Sequence, residues 1–559
     1  MQIDWDVPIE MDDGIVLRAD VYRPAGDGKY PPILTYGPYA KGLPFQQGYA
    51  PQWNKLIHDY PEVCARSSCR YQNWEVVDPE RWVPDGYVCV RVDSRGAGCS
   101  PGFLDIWSPR ETSDLYACIE WAAEQAWSSG KVGLLGISYY AMNQWYVAGL
   151  QPPHLRAMIP WEGAADSYRD LCYHGGIASD FPKNWYPRQV ATVQYGLGER
   201  AAVSPLTGRS VAGEETLSDE ELACQRTDYP REVRNHPLDD QWHRDRSADW
   251  PRVTVPFLSA ANWGGQGLHP RGNFEGFTQA ASTQKWLEVH GDTHWSHFYT
   301  DYGIGLQKKF FGHFLKGEDA GWDRQPRVLL NIRHPGERFV PRGENEWPLA
   351  RTRWTKLFLC PDDMSLRDTP PAEQQLTYDA TGDGLTFRTP PLEHETEITG
   401  PMAAHLVVSS STTDADLFLV VRVFDLQDNE VTFQGALDPN TPIAQGWLRA
   451  SHRRLDPDKS LPYRPYHLHD RVEPLTPGER YAVEVEIIPS CIVVPPGHRI
   501  ALTVRGKDYE YQGEIGEFAR TFHYASKGVG PFTHSEVHPG QVSLHLGDAY
   551  LLLPIIPAA

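Results

Sequence analysis

The sequence predicts an α/β domain that carries an insertion, followed by an all-β domain. Between about residues 13 and 325, short apolar runs alternate with helical patterns, which is typical of a mostly parallel sheet covered on both faces. From about residue 168 to residue 249 this alternation lapses into polar, loop-rich sequence, which indicates an insertion between two strands. Beyond Pro326, starting with RVLLNIRH, apolar and polar residues alternate in segments separated by Pro, Gly and Asp, as in a β-sandwich or jelly roll.

We therefore divide the 559 residues, which are too many for one core, into an α/β domain and a β domain. The first part of the α/β core is expected over residues 1–167, the inserted cap over 168–249, the second part of the core over 250–325, and the β domain over 326–559. Insertions of this kind commonly lie over the edge of the sheet where loops carry function.

The charge and composition of the chain limit the kinds of binding partner that can be expected. The chain has 52 basic and 73 acidic residues and a net charge of -21, so nucleic acid and anionic membranes would be repelled. We expect a small-molecule partner and leave a homo-oligomer open. The N-terminus offers no basic segment followed by an apolar run, and no stretch approaches eighteen apolar residues, so neither a signal peptide nor a membrane span is expected.

The nine cysteines are scattered singly, which favours a reducing compartment, and we expect a cytoplasmic protein. Cys64 and Cys69 could be half of a metal site, but no second cysteine pair has suitable spacing. We therefore expect no metal and no cofactor.

The segment KVGLLGISYYAMNQW indicates a buried strand that turns sharply into a helix at Ser138. Such a turn lifts a hydroxyl out of the sheet, and the helix N-terminus that follows stabilises negative charge beside it. The pattern G-x-S-x-G is incomplete, because Tyr140 holds the place of the second glycine. Ser138 is therefore a candidate nucleophile, with helix capping as its alternative role.

The segments GISYY and VDSRGAGCSPG, together with the order of core, insertion and β domain, resemble the serine hydrolases that include cocaine esterase, X-prolyl dipeptidyl peptidases and alpha-amino-acid ester hydrolases. The resemblance spans nearly the whole chain and implies an α/β-hydrolase fold with an inserted cap and a C-terminal jelly roll. Family members usually have a glycine three residues after the serine, where this chain has Ala141. Alanine is also small enough for close helix packing.

The resemblance also implies an oxyanion hole made from the backbone N–H after the serine and a tyrosine hydroxyl. Tyr139 supplies the backbone donor, and Tyr39 in ILTYGPYAKG stands at the position of the tyrosine. Tyr36 lies within the strand and is the weaker candidate. A packing role is the alternative for Tyr39.

A catalytic histidine is expected in the loop DTHWSHFYTDYG, after the last core strand KWLEVHG. His294 has the spacing closest to that of related sequences, whereas His297 keeps the family wording WSH, so both stay open. His290 lies inside the strand.

The acid of the triad is where the sequence departs from the family. An aspartate is expected shortly after the tryptophan of ANWGGQGLHPRG, but residues 264–266 are Gly, Gly and Gln. A histidine base still needs a carboxylate to fix its tautomer. Glu162, at the end of the strand in MIPWEGAADSYRD, is the proposed replacement, with Asp166 and Asp292 as alternatives.

These residues predict a serine hydrolase that forms an acyl-enzyme on Ser138. Esters are the expected substrates; amides, including X-Pro dipeptides and amino-acid derivatives, are the enzymatic alternative. A carbohydrate-binding or interaction protein is the non-enzymatic alternative, suggested by the β domain and 19 tryptophans.

Overall fold

The computed structural model describes residues 1–513 and 527–558. The α/β domain is built on a ten-stranded sheet. The strands of this sheet are β1 (Gln2–Glu10), β2 (Val16–Arg23), β3 (Pro32–Gly37), β4 (Val88–Asp93), β5 (Val132–Ile137), β6 (Leu155–Trp161), β9 (Phe257–Asn262), β10 (Lys285–His290), β11 (Val328–His334) and β12 (Arg338–Glu344). A two-stranded hairpin, β7 (Tyr173–His174) and β8 (Ile177–Ala178), lies between β6 and β9 in the chain.

The strand order is β1-β2-β4-β3-β5-β6-β9-β10-β11-β12. Strands from β4 to β11 run parallel in this order, and β1, β2 and β12 pair antiparallel at the two edges. The central strands β3, β4, β5 and β9 are buried along their whole length, because helices cover both faces. The order confirms the predicted fold class.

Thirteen α-helices are described, and the long ones cover the central sheet. All residues of α6 except Leu150 are buried, so the helix after Ser138 is enclosed by the core. The helices are α1 (Phe45–Gly48), α2 (Ala50–Asp59), α3 (Glu62–Ala65), α4 (Pro79–Trp82), α5 (Pro109–Glu124), α6 (Tyr139–Leu150), α7 (Phe181–Trp185), α8 (Asp219–Cys224), α9 (Tyr229–Asn235), α10 (Gln241–Arg244), α11 (Pro270–Gln279), α12 (Ser296–Tyr299) and α13 (Asp301–Phe311).

The insertion between β6 and β9 contains β7, β8 and the short helices α7 to α10. These helices have four to seven residues each, and several begin at a side-chain cap such as Ser218 or Asp228. Trp185 of α7 reaches the core, where its indole N–H donates to Tyr39. The insertion therefore contributes directly to the region around the sheet's carboxyl edge.

The β domain is an eleven-stranded sheet. Its last strand in the sheet order, β23, also pairs with β17, so the sheet encloses an apolar core. Its strands are β13 (Arg353–Cys360), β14 (Ser365–Arg367), β15 (Gln374–Asp379), β16 (Leu385–Arg388), β17 (Thr396–Ser410), β18 (Asp416–Phe424), β19 (Ala444–Arg449), β20 (Tyr481–Val494), β21 (Arg499–Arg505), β22 (Gln541–Leu546) and β23 (Tyr550–Ile556).

The position of RVLLNIRH differs from the sequence prediction. This segment is β11, which pairs in parallel with β10 and extends the α/β sheet together with β12. The change of sheet therefore falls between Glu344 and Arg353 rather than at Pro326. Alternation of apolar and polar residues in β11 reflects its place near the sheet edge, where one face is less covered.

The two domains share an apolar cluster. Trp263 and Phe274 of the α/β domain pack with Cys491 and Val493 of β20. In the parts of the chain that the structure describes, no helix is long and apolar enough to cross a membrane.

Candidate active site

Ser138 lies at a strained turn between β5 and α6. Its backbone has φ 57° and ψ −112°, a conformation that L-residues avoid and that costs of order 1–3 kcal/mol. The Ser138 N–H donates to the carbonyl oxygens of Trp161 and Glu162, which holds the turn against the end of β6. A side chain at Gly136 would come within 2.3 Å of Tyr140 Cβ, so the turn requires glycine there. This geometry is that of a nucleophile elbow.

Two donors flank the serine. Tyr139 is the first residue of α6, so its N–H has no acceptor within the helix. The Tyr39 hydroxyl accepts a hydrogen bond from Trp185 Nε1 at 3.1 Å and keeps its own proton to donate. Burial raises the pKa of Tyr39 well above its usual value, so the hydroxyl stays neutral. Tyr36 is buried elsewhere, and its hydroxyl accepts from the Arg95 N–H.

The loop after β10 brings His294 to the same place. The His294 N–H donates to the carbonyl of Ala436 in the β domain at 2.9 Å, and its ring stacks on His269 at 5.2 Å between ring centroids. His294 and Ser138 line one pocket. His297 instead lies in α12, where its ring packs against His290 at 5.5 Å.

Glu162 directly follows β6 and is fully buried. Its carboxylate lies 2.7 Å from His294 Nδ1 and 2.9 Å from His290 Nε2, and it accepts a third bond from Asn262 Nδ2 at 3.1 Å. Burial alone would raise the pKa of Glu162, but His294 and His290 outweigh it and lower the pKa to about 2. Glu162 and His294 therefore form an ion pair at the carboxyl end of β6, the strand next to β5, which leads to Ser138.

The other two acids lie elsewhere. Asp166 caps the turn that follows it by accepting from the Arg169 N–H and pairs with the Arg169 guanidinium. The Asp292 carboxylate accepts from the Tyr60 hydroxyl and the Thr293 N–H, and neither contact reaches a histidine.

The loop that lacks an aspartate contacts the β domain instead. A side chain at Gly264 would come within 2.4 Å of Gly435 Cα, and Gln266 Nε2 donates to the carbonyls of Pro442 and Ile443. An acid at position 264 would therefore collide with the neighbouring backbone. This close contact gives a physical reason for the missing carboxylate in NWGGQG.

Sequence reasoning missed Glu75, which lies between α3 and α4. Its Oε1 is 2.9 Å from His294 Nε2, and its backbone carbonyl accepts from the Ile137 N–H beside the nucleophile turn. Burial raises the pKa of Glu75 to about 7 despite the nearby His294. The signal in the sequence was an acid in YQNWEVV that is flanked by aromatic and apolar residues.

The pocket that Ser138 and His294 share has a volume of about 630 Å³. Its walls come from the core, the insertion and the β domain, and many are aromatic. The aromatic and aliphatic residues that line it include Tyr39, Tyr49, Trp74, Phe181, Trp185, Leu268 and Leu437. The arrangement places a largely apolar wall beside the serine hydroxyl, and Arg188 and Glu75 are charged residues in the same lining.

Strand order and the serine at the turn after β5 place this protein among the serine hydrolases of the α/β-hydrolase fold. The chain belongs to the X-Pro dipeptidyl-peptidase (S15) family, whose pattern matches residues 13–299. The C-terminal non-catalytic domain of X-Pro dipeptidyl-peptidases matches residues 320–521. The predicted family and enzyme class are therefore confirmed, and the binding-protein alternative is set aside.

The chain is similar to proteins with several names. A crystal structure of a CocE/NonD family hydrolase from Staphylococcus aureus is 32% identical, with a TM-score of 0.84 over 99% of this chain and 94% of that one. Cocaine esterase from a Rhodococcus strain is 25% identical over 90% of each chain. A protein named as a serine esterase from Mycobacterium bovis is 26% identical over 89% of this chain and 90% of its own.

Proposed function

We propose that the protein hydrolyses carboxylic esters through an acyl-enzyme on Ser138, with His294 as base, Glu162 as its orienting acid, and Tyr39 and the Tyr139 N–H as the oxyanion hole. The observation that carries the proposal is the Glu162–His294 contact of 2.7 Å in the pocket that holds Ser138.

The chemistry follows from these positions. Glu162 accepts the Nδ1 proton, which leaves Nε2 as the atom that takes the Ser138 proton during attack on the substrate carbonyl. The oxyanion that forms is stabilised by the Tyr139 N–H and the Tyr39 hydroxyl, each worth roughly 3 kcal/mol in such sites. His294 then returns the proton to the leaving alcohol, and water releases the acyl group by the same route.

Two features support esters over dipeptides. The pocket walls are mainly aromatic and aliphatic, and relatives with a similar span are named as esterases. Recognition of a free amino terminus needs a negative group that is free to bind it. Glu75 is the acid that lines the pocket in the described part of the chain, and it is already bonded to His294. The family match keeps dipeptide amides as the second candidate.

We also propose a reducing compartment, because the cysteines described are free thiols, including Cys64 and Cys69, whose Sγ atoms lie 2.6 Å apart without a disulfide bond.

The test is labelling with a fluorophosphonate probe, followed by hydrolysis of short aryl esters, amino-acid esters and X-Pro anilides. We expect labelling of the wild-type protein, none of Ser138→Ala, and the fastest turnover with esters. An unlabelled wild-type protein contradicts the nucleophile assignment, and a preference for X-Pro anilides contradicts the ester assignment.

A further inference from the structure

His294 is bonded to a carboxylate on each of its two ring nitrogens. Glu162 Oε2 lies 2.7 Å from Nδ1, and Glu75 Oε1 lies 2.9 Å from Nε2. Both acids are buried, with Glu75 3% and Glu162 0% exposed. Ser138 Oγ makes no hydrogen bond with any residue in the ranges 1–513 and 527–558.

The contact between His294 Nε2 and the Glu75 carboxylate requires a proton in addition to the one on Nδ1. When Nδ1–H donates to Glu162, a neutral imidazole offers only a lone pair at Nε2, and an ionised carboxylate offers only lone pairs as well. A hydrogen bond between Nε2 and Glu75 therefore means either an imidazolium facing a carboxylate or a neutral imidazole facing a carboxylic acid. In both forms the Nε2 lone pair is occupied and cannot accept the proton of Ser138.

Glu75 is held firmly in this position. Its backbone has φ 63°, and its carbonyl accepts from the Ile137 N–H at 3.0 Å, so it is tied to the strand that delivers the nucleophile. Asn73, two residues before Glu75, is also fixed, because its side-chain amide donates to the Lys41 carbonyl. The contact with His294 is thus built into the same turn that presents Ser138.

We propose that Glu75 is a positioning residue that shares one proton with His294 Nε2 in the free enzyme, so that the base serves Ser138 only after that proton has left. This inference rests on the proposed roles of Ser138 and His294. The shared proton passes to water in the pocket, which leaves a neutral imidazole and a carboxylate. The Nε2 lone pair then takes the Ser138 proton as Oγ forms its bond to the substrate carbonyl carbon.

Several of the groups packed around the pair keep one charge state across the pH range in which the pair is expected to titrate. Burial raises the pKa of Tyr39, Tyr140 and Tyr299 and lowers that of His269, so these groups stay neutral. Glu162 stays ionised, because its pKa is lowered to about 2.

Two further groups bear on the pair. Burial alone would lower the pKa of His290, but Glu288 and Glu162 outweigh it and raise the pKa to about 10. Arg188 also lines the pocket and carries a permanent charge. For His294, burial is likewise outweighed, by Glu162 and then Glu75, and the pKa rises to about 9.

The proposal fixes how the reactivity of Ser138 should change with pH. The reactive state has lost a proton from a pair that retains it, so reactivity rises with pH, and the midpoint lies above the usual histidine value of about 6.5. Glu75→Gln removes the charge that favours the imidazolium, so the Nε2 proton should leave at lower pH. Loss of an adjacent opposite charge typically moves a pKa by about 1–3 units.

The experiment measures the rate constant for inactivation by a small fluorophosphonate between about pH 5.5 and 10. This readout does not depend on the natural substrate. We expect a midpoint above about 6.5 for the wild-type enzyme and a midpoint lower by about one unit or more for Glu75→Gln. Asp292→Asn is the matched control, because it removes a charge from the loop of His294 without touching the ring. Its midpoint should equal the wild-type value.

The remaining outcomes contradict either this inference or the proposed function. A Glu75→Gln midpoint equal to the wild-type value overturns the inference, and so does a folded Glu75→Gln protein that is unreactive at every pH. If Glu75→Gln does not fold, the wild-type profile decides, since a midpoint at or below about 6.5 also overturns it. A wild-type enzyme unlabelled at all pH values would instead contradict the proposed function.

Discussion

Glu162, the residue directly after β6, lies 2.7 Å from the Nδ1 atom of His294, which follows β10. Strand β9 separates β6 from β10 in the sheet, so the carboxylate reaches the histidine loop across one intervening strand. Asn262, at the end of β9, fills the space between them by donating to Glu162 and to the Asp292 carbonyl. The end of β9, where the family resemblance places the acid, here supplies an amide donor.

Replacing Glu162 by glutamine should lower turnover by roughly 10⁴-fold, the typical cost of losing the orienting acid of a triad. The amide cannot accept from His294 and His290 as an ionised carboxylate does. Steady-state turnover of an aryl ester measures the effect, with circular dichroism as the check of folding. Asp166→Asn and Asp292→Asn are the matched controls and should change turnover far less. A Glu162→Gln enzyme within tenfold of wild type would contradict the assignment.

Tyr39→Phe should lower turnover by about 10²-fold or more while the Michaelis constant changes much less. The hydroxyl donates to a charge that develops in the transition state, so its loss acts mainly on the chemical step. The indole N–H of Trp185 also loses its acceptor, but that contact lies outside the reacting atoms. Tyr36→Phe, on the same segment, is the control and should leave turnover close to wild type. An effect limited to the Michaelis constant would indicate a packing role for Tyr39.

His290 should stabilise the fold more strongly at low pH than at high pH. Its imidazolium lies between Glu288, at 2.7 Å, and Glu162, at 2.9 Å. The folded-state pKa is raised to about 10, so the stabilisation is complete below the unfolded value of about 6.5 and is lost as the pH rises through about 10. His290→Gln should therefore lower the free energy of unfolding by at least about 1 kcal/mol more at pH 6 than at pH 9.5.

Denaturant unfolding at both pH values measures this difference. His297→Gln is the control of opposite sign, because burial lowers the pKa of His297 and the wild-type protein then loses stability on acidification. Equal costs for His290→Gln at the two pH values would contradict the ion-pair interpretation.

A chain that ends at residue 352, before β13, should aggregate and fail to react with a fluorophosphonate. It would expose Trp263, which packs with Val493, and it would remove the Ala436 carbonyl that holds the His294 N–H. Solubility and labelling measure the result. A soluble truncated protein with full reactivity would mean that the β domain is independent of the site.

A milder variant tests the same contact within the full chain. Leu437 lines the active-site pocket from the β domain. Leu437→Ala should therefore keep the fold and the rate of labelling but raise the Michaelis constant for bulky esters.

The sequence supported the central part of the site. Residues 131–145 predict a strand, a turn and a helix from a buried apolar run, a serine and a second apolar run, and the structure has β5, Ser138 and α6 there. Local sequence suffices for such a unit because neighbouring residues form it. Membership of the family follows from the order of such units along the whole chain.

The end of the α/β sheet was harder to place. Strand β11 alternates apolar and polar residues like the strands of the β domain, and only its pairing with β10 shows which sheet it joins. Periodicity reports how a strand is buried, not which strand lies beside it.

The sequence by itself determined the fold class, the nucleophile candidate and two candidate histidines, because each depends on local pattern and on order along the chain. The tertiary structure decided that His294 rather than His297 shares the pocket with Ser138, that Glu162 lies against His294, and that Glu75 lies on its other side. Glu75 and His294 are 219 residues apart in the chain. Contacts over such separations arise from sheet order and from the packing of loops at one edge, and no local pattern of residues encodes them.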